Sequence, residues 1–195
     1  MAMSLGINIT DDPMTATHII PSDGKRQLLR RTPKLMVSLC RTSNILYMDW
    51  LLMSYKEHKL LDCHRYLVVN DHAVEKQHSF CMKQTLKEGK ERRKEGGLLA
   101  SWQVLFCEGV AGNKAPKEED LNMIVQAAGG SVIKRSDLLL QEEENINKVL
   151  VITSDPAHSY QISDWNIAKI ANDGPGFRTT SWLFGSIMLQ KLIDI

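Results

Sequence analysis

The sequence predicts an α/β fold written twice, a three-layer domain with a parallel four-stranded sheet flanked by helices, the first copy lacking its opening strand and helix. Two observations carry this. A tryptophan segment recurs: Trp50-Leu51-Leu52-Met53-Ser54 with Lys59-Leu60-Leu61-Asp62, and Trp182-Leu183-Phe184-Gly185-Ser186 with Lys191-Leu192-Ile193-Asp194. The offset is a constant 132 residues (50 to 182, 54 to 186, 59 to 191), which fits two copies of one domain better than a short-period solenoid. Strand-like runs also alternate with helix-like runs, the pattern of a parallel sheet covered by helices.

The second copy shows the plan in order. Residues 103–107 are apolar and β-branched and predict a strand. Pro116-Lys117-Glu118-Glu119-Asp120 opens a helix, because proline tolerates the first turn and carboxylates suit its positive end. That helix continues through Leu121, Ile124, Val125 and Ala128, and Gly129-Gly130 ends it. Residues 131–134 predict a short strand, and residues 135–147, including Glu142-Glu143-Glu144, a solvated loop. Residues 148–153, rich in Val and Ile, predict a buried parallel strand. Residues 162–171 predict a helix, 172–176 a turn, and Phe177 a short strand before the Trp182 helix. Asp49 and Ser181, just before the two tryptophans, have the side-chain oxygens that cap helix starts.

The first copy follows the same plan from its middle onward. Gly6-Ile7-Asn8-Ile9-Thr10 aligns with Gly130-Ser131-Val132-Ile133-Lys134, and Ala16-Thr17-His18-Ile19-Ile20 with residues 149–153. Residues 32–40 predict a helix with Pro33 in its first turn, and Ile45-Leu46-Tyr47 a strand. Five residues precede Gly6, so the opening strand and helix are expected to be missing, with Met1 inside a domain. The predicted organisation is a shortened repeat over 1–71, a linker with one helix at 75–89 over 72–98, and a full repeat over 99–195.

Hydrophobic residues at 43% and charged residues at 24% describe an ordinary globular protein. A net charge of +1 predicts no sequence-specific nucleic-acid reader, and the basic run at 87–94 reads as a solvated linker face, with a localisation signal or nucleic-acid patch as the alternative. No apolar run reaches the length of a membrane span and the N-terminus lacks a signal-peptide pattern, so the chain is expected inside the cell. Cys40, Cys63, Cys81 and Cys107 have no CxxC spacing and read as free thiols.

The motifs together resemble the BRCT domain. Leu5-Gly6, Thr17-His18-Ile19-Ile20, Arg31-Thr32-Pro33-Lys34, Ile45 through Trp50-Leu51 to Ser54, and Lys59-Leu60-Leu61-Asp62 match the family pattern in order. Gly129-Gly130 and the Trp182 segment repeat it. His78-Ser79-Phe80-Cys81-Met82-Lys83-Gln84-Thr85-Leu86 resembles the inter-repeat segment of PTIP-type tandem BRCT scaffolds of the DNA-damage response.

That resemblance implies a nuclear, monomeric, non-enzymatic scaffold without a cofactor, binding a phosphorylated nuclear protein or histone tail. It assigns phosphate contact to Lys34 and ligand main-chain or carboxylate contact to Arg31, with Met36, Ala115, Thr180 and Phe184 around the specificity groove. The family's Ser/Thr-Gly phosphate element belongs to the missing strand, so this chain is expected to bind phosphopeptides weakly or not at all. Phosphate-independent docking, or service as the appended module of a nuclear repair enzyme, are the alternatives.

Other residues read as structural. Trp50 and Trp182 read as core, and His18 as a hydrogen-bonded strand histidine. His78 and Cys81 lack a second pair of zinc ligands. Asp155, His158 and Ser159 are crowded into one loop without a nucleophile elbow, and the Gly109–Gly112 stretch lacks the GK[ST] ending of a phosphate loop.

Overall fold

The computed structural model describes residues 1–21, 29–112, 114–138 and 148–195. The first half holds α1 (Pro33–Arg41), α2 (Asp49–Lys56), α3 (His72–His78) and α4 (Met82–Lys94). The second half runs β1 (Gln103–Phe106), α5 (Glu118–Ala127), β2 (Ser131–Val132), α6 (Arg135–Leu138), β3 (Val149–Thr153), α7 (Ser159–Ile162), α8 (Trp165–Asp173), β4 (Phe177–Thr179) and α9 (Thr180–Leu189).

The second repeat carries the whole plan. Its four strands are parallel, in the order β2-β1-β3-β4. Every residue of β3 is buried, as a central parallel strand with helices on both faces requires. Alternate side chains serve opposite faces. Leu150 and Ile152 pack with Leu121, Ile124 and Val125 of α5 and Leu183 and Ile187 of α9. Val149 and Val151 pack with Ile167, Ile170 and Ala171 of α8.

The first repeat reproduces this geometry at the 132-residue offset. The Trp50 indole donates to the carbonyl of Leu61 at 2.9 Å, and the Trp182 indole to the carbonyl of Ile193 at 2.9 Å. Past each tryptophan helix the backbone turns left-handed, at His58 (φ 52°) and Gln190 (φ 51°). Lys59 N–H then closes on Ser54 O at 3.1 Å and Lys191 N–H on Ser186 O at 3.0 Å. Thr32 caps α1 through Leu35 N–H, and Asp164 caps α8 through Ile167 N–H. The parallel bridge Ile19 to Ile45 repeats the pair Val151 to Phe177. Ile19 therefore corresponds to Val151, one residue away from the alignment drawn on the sequence.

Other boundaries also differ from expectation. Residues 6–10 form no strand, and Ile9 is exposed. β2 pairs only with β1, and among the described residues the first repeat has no counterpart of β1. A strand without a partner leaves its backbone groups to water. The single linker helix expected at 75–89 is two helices, broken where Ser79 turns left-handed (φ 52°) and buried Phe80 anchors the chain. The helix expected at 162–171 is α7 and α8, with Asp164 capping the second. The cap of α9 is Thr179, which accepts from Trp182 N–H, rather than Ser181, and Asp49 is the first residue of α2 rather than its cap. Residues 135–138 form α6 rather than loop, and Glu142, Glu143 and Glu144 lie outside the described residues.

The repeats share one core. Met36, Val37 and Cys40 of α1 pack with α5 and α9. α1 is consequently buried over six consecutive residues, Leu35 to Cys40, whereas α8 buries only Ile167, Ile170 and Ala171. Where the linker meets the end of α5, Gly97 and Gly129 approach closely. Both have positive φ, and a Cβ on Gly129 would sit 2.0 Å from Gly96 O, so only glycine fits.

Candidate functional site

The site begins at the start of α1. Pro33 has no N–H to leave unpaired, Thr32 Oγ1 takes the Leu35 N–H at 3.2 Å, and Met36 N–H bonds Thr32 O. That leaves Lys34 N–H as the first-turn donor with no partner among the described residues. The Lys34 side chain is solvated, with Nζ 3.6 Å from Asp11 Oδ1. A pair so exposed contributes little to stability, so an anionic ligand can displace Asp11 at small cost. Nothing in the local sequence signals this partner, because Asp11 and Lys34 are brought together by the fold.

Arg31 stands just before the helix. Its guanidinium carbon lies 5.7 Å from the centroid of the Phe184 ring on α9, a cation–π contact that crosses from one repeat to the other. Arg31 also faces His78 at the end of α3. Burial, and then the Arg31 charge, hold the His78 imidazole below its usual range.

The six expected site residues fall into two sets. Arg31 and Lys34 are exposed at the start of α1. Met36 (1% exposed), Thr180 and Phe184 are buried, and Ala115 is half-buried at the margin of the same core. Met36, Phe184 and Ala115 thus belong to the core that the two repeats share at their joint.

The remaining candidates stay apart from this joint. His18 accepts or shares a proton with Thr17 Oγ1 at 3.0 Å and stacks on Trp50, ring centroids 5.3 Å apart. Trp50 is buried, and Trp182 is half-buried beneath the Arg178 guanidinium. His158 stacks on Tyr160, and no hydrogen bond joins Asp155, His158 and Ser159 among the described residues. His78 and Cys81 belong to no group of metal-ligating side chains among those residues. The group present is Asp62, Cys63 and His64, in which Asp62 accepts from His64 at 2.7 Å and so has its carboxyl held below the usual range. Burial pushes the thiols of Cys40 and Cys107 up to about 11.

No protein-family model matches the chain. Over 131 residues, 67% of its length, it is 28% identical to Mediator of DNA damage checkpoint protein 1 from Pan troglodytes and from Homo sapiens. The same identity and coverage hold for the Rattus norvegicus protein. The matched stretch spans only 5%, 6% and 9% of those proteins respectively. Among solved structures, the chain superposes on the BRCT5-BRCT6 domains of S. pombe Brc1 with a TM-score of 0.75 at 23% identity, covering 99% of this chain and 86% of that one. The fold is thus shared with a solved pair of BRCT domains, and these likenesses do not single out the PTIP type.

Proposed function

From the premise that the chain is a tandem BRCT protein, we propose that it is a nuclear, monomeric, non-enzymatic scaffold of the DNA-damage response that docks a phosphoserine-bearing protein at the joint of its repeats. The observation that supports this most is the placement of Lys34 and Arg31 at the start of α1, with Arg31 reaching Phe184 of the other repeat. A phosphate takes a cation and N–H donors, and a helix start provides both. Ala115, half-buried against the core that α1 shares with α5 and α9, is the residue assigned to side chains downstream of the phosphate.

The same geometry sets the strength. One backbone N–H, the Lys34 ammonium and the Arg31 guanidinium face the ligand, and no β1 counterpart among the described residues adds donors. The phosphate preference of this chain is therefore modest, on the order of tenfold, the worth of about one net charge-assisted hydrogen bond. Paired pull-downs with a phosphoserine peptide library and its unphosphorylated twin test the reading. The expected result is preferential capture of the phosphorylated set by the native chain and loss of that preference in Lys34→Gln. Equal capture of both sets by the native chain would instead point to phosphate-independent docking, which the exposed α2 surface favours. There Leu52 is 44% and Tyr55 43% exposed, whereas their counterparts Phe184 and Ile187 are 6% and 0% exposed.

A further inference from the structure

Helix α4 connects the repeats, and its polar residues are sorted rather than scattered. Lys83, Lys87, Lys90 and Lys94 recur at spacings of four, three and four. At 100° per residue they occupy one band about 60° wide and about 16 Å long. Gln84, Glu88, Glu91 and Glu95 form a second band beside it. A third face, with Met82, Thr85 and Gly89, is buried.

The helix is also held firmly. Thr85 Oγ1 donates to Met188 O of α9, Arg92 Nε to Gln190 O at 3.4 Å, and Arg93 to Leu39 O at 3.2 Å and to Ser43 Oγ. A Cβ at Gly89 would come within 3.2 Å of Leu39 O. The two arginines, the side chains suited to reading base edges, are thus engaged, Arg92 with Gln190 O and with Glu95 and Arg93 with Leu39 O and Ser43, while the four lysines are exposed. Lys94 pairs with Glu91 at 2.6 Å, and Lys83, Lys87 and Lys90 have no ion-pair partner among the described residues. Glu91 feels the band: Lys94, then Lys90 and Lys87, hold its carboxyl below the usual range.

The anchored helix thus holds a row of point charges in fixed register, with no apolar residue inside the row. A protein-docking surface is centred on buried aromatic or arginine anchors, and the band has none. A DNA strand presents one phosphate per about 3.4 Å of axis, so about five phosphates span the length of the four lysines. Lysines position a phosphate backbone without reading sequence.

We propose that the lysine band of α4 is a sequence-independent contact for the phosphate backbone of duplex DNA, separate from the joint where Arg31 and Lys34 lie. With a net charge of +1 for the whole chain, such binding is weak and steeply salt-dependent.

The test is fluorescence anisotropy of a labelled 20-base-pair duplex with the full chain across a potassium chloride series. The band variant carries Lys83→Gln, Lys87→Gln, Lys90→Gln and Lys94→Gln. A control variant removes the same charge from the exposed lysines Lys56, Lys59, Lys114 and Lys117. The expected result is at least about tenfold weaker binding by the band variant alone, with a salt slope smaller by about 3 to 4, near 0.9 for each phosphate that the lysines no longer neutralise. Absence of duplex binding by the native chain, equal weakening in both variants, or competition by polyglutamate as strong as by unlabelled duplex would each overturn the proposal. Should the band variant fail to melt cooperatively, acetylation footprinting of the native chain decides instead: duplex DNA protects the four lysines if the proposal holds and leaves them reactive if it does not.

Discussion

The Arg31 guanidinium lies 5.7 Å from the centre of the Phe184 ring, so the cation beside the candidate phosphate site rests on the other repeat. The candidate phosphate site and the joint are therefore in contact through this pair. A double-mutant cycle with Arg31→Gln and Phe184→Leu, read by urea unfolding, is expected to return a coupling of roughly 0.5–1 kcal/mol, the range for a solvent-accessible cation–π pair. Strict additivity would show that the contact contributes nothing.

The two tryptophans make the same hydrogen bond in different repeats. Trp50→Phe and Trp182→Phe each remove an N–H donor and leave a carbonyl without its partner. Each is expected to cost about 1–3 kcal/mol. They share no partners, so the double variant should lose the sum to within about 0.5 kcal/mol. If one substitution were neutral while the other was severe, the two environments would not be equivalent.

Among the described residues the Ile19 bridge has a partner on one side only, which predicts an exchange pattern. Ile19 N–H is bonded to Asn44 O, and β3, its counterpart strand, is flanked by β1 and β4. Hydrogen exchange should find the amides of His18 and Ile20 at least about a hundredfold faster than those of Leu150 and Ile152, since local opening is cheapest where backbone bonds are missing. Equal protection would mean that something covers that edge in solution.

The cysteines should separate by reactivity. Burial raises the Cys40 and Cys107 thiols from 9.0 to about 11, which leaves about a hundredfold less thiolate at pH 8 than an unperturbed thiol has. Cys81 is exposed. Iodoacetamide at pH 8 is expected to modify Cys81 first and to reach Cys40 and Cys107 only on unfolding. The folded state keeps protons on both thiols above pH 9 where the unfolded chain loses them, so stability declines as pH rises from about 9 to 11. Early labelling of Cys40 would contradict its place in the joint.

Much of the fold was legible because its signals are local. The valine- and isoleucine-rich β3, the proline and acidic start before α5, and the paired glycines after it each carry their own physics. The tryptophan repeat was legible because one offset runs from Trp50 to Asp62 and from Trp182 to Asp194, whereas its extension back to Ile19 and Val151 required the strand pairing. Residues 6–10 misled, since a strand exists only where another strand accepts its bonds, and that partner is a matter of tertiary context. The break at Ser79 and the cap at Thr179 depend on backbone angles set by the burial of Phe80 and by the register of β4. At the site, Lys34 and Arg31 were legible as charges at a helix start. The pairing of Lys34 with Asp11, and of Arg31 with Phe184, required the folded chain.

The most direct measurement is an amide and arginine side-chain NMR titration of the full chain with a phosphoserine peptide recovered from the library, alongside its unphosphorylated form. The predicted result is early movement of the Lys34 amide and the Arg31 Nε resonance with the phosphorylated peptide only, followed by residues lining the joint around Ala115. Identical shifts with both peptides, or shifts confined to α7 and α8 with Lys34 and Arg31 unmoved, would contradict a phosphate-reading joint between the repeats.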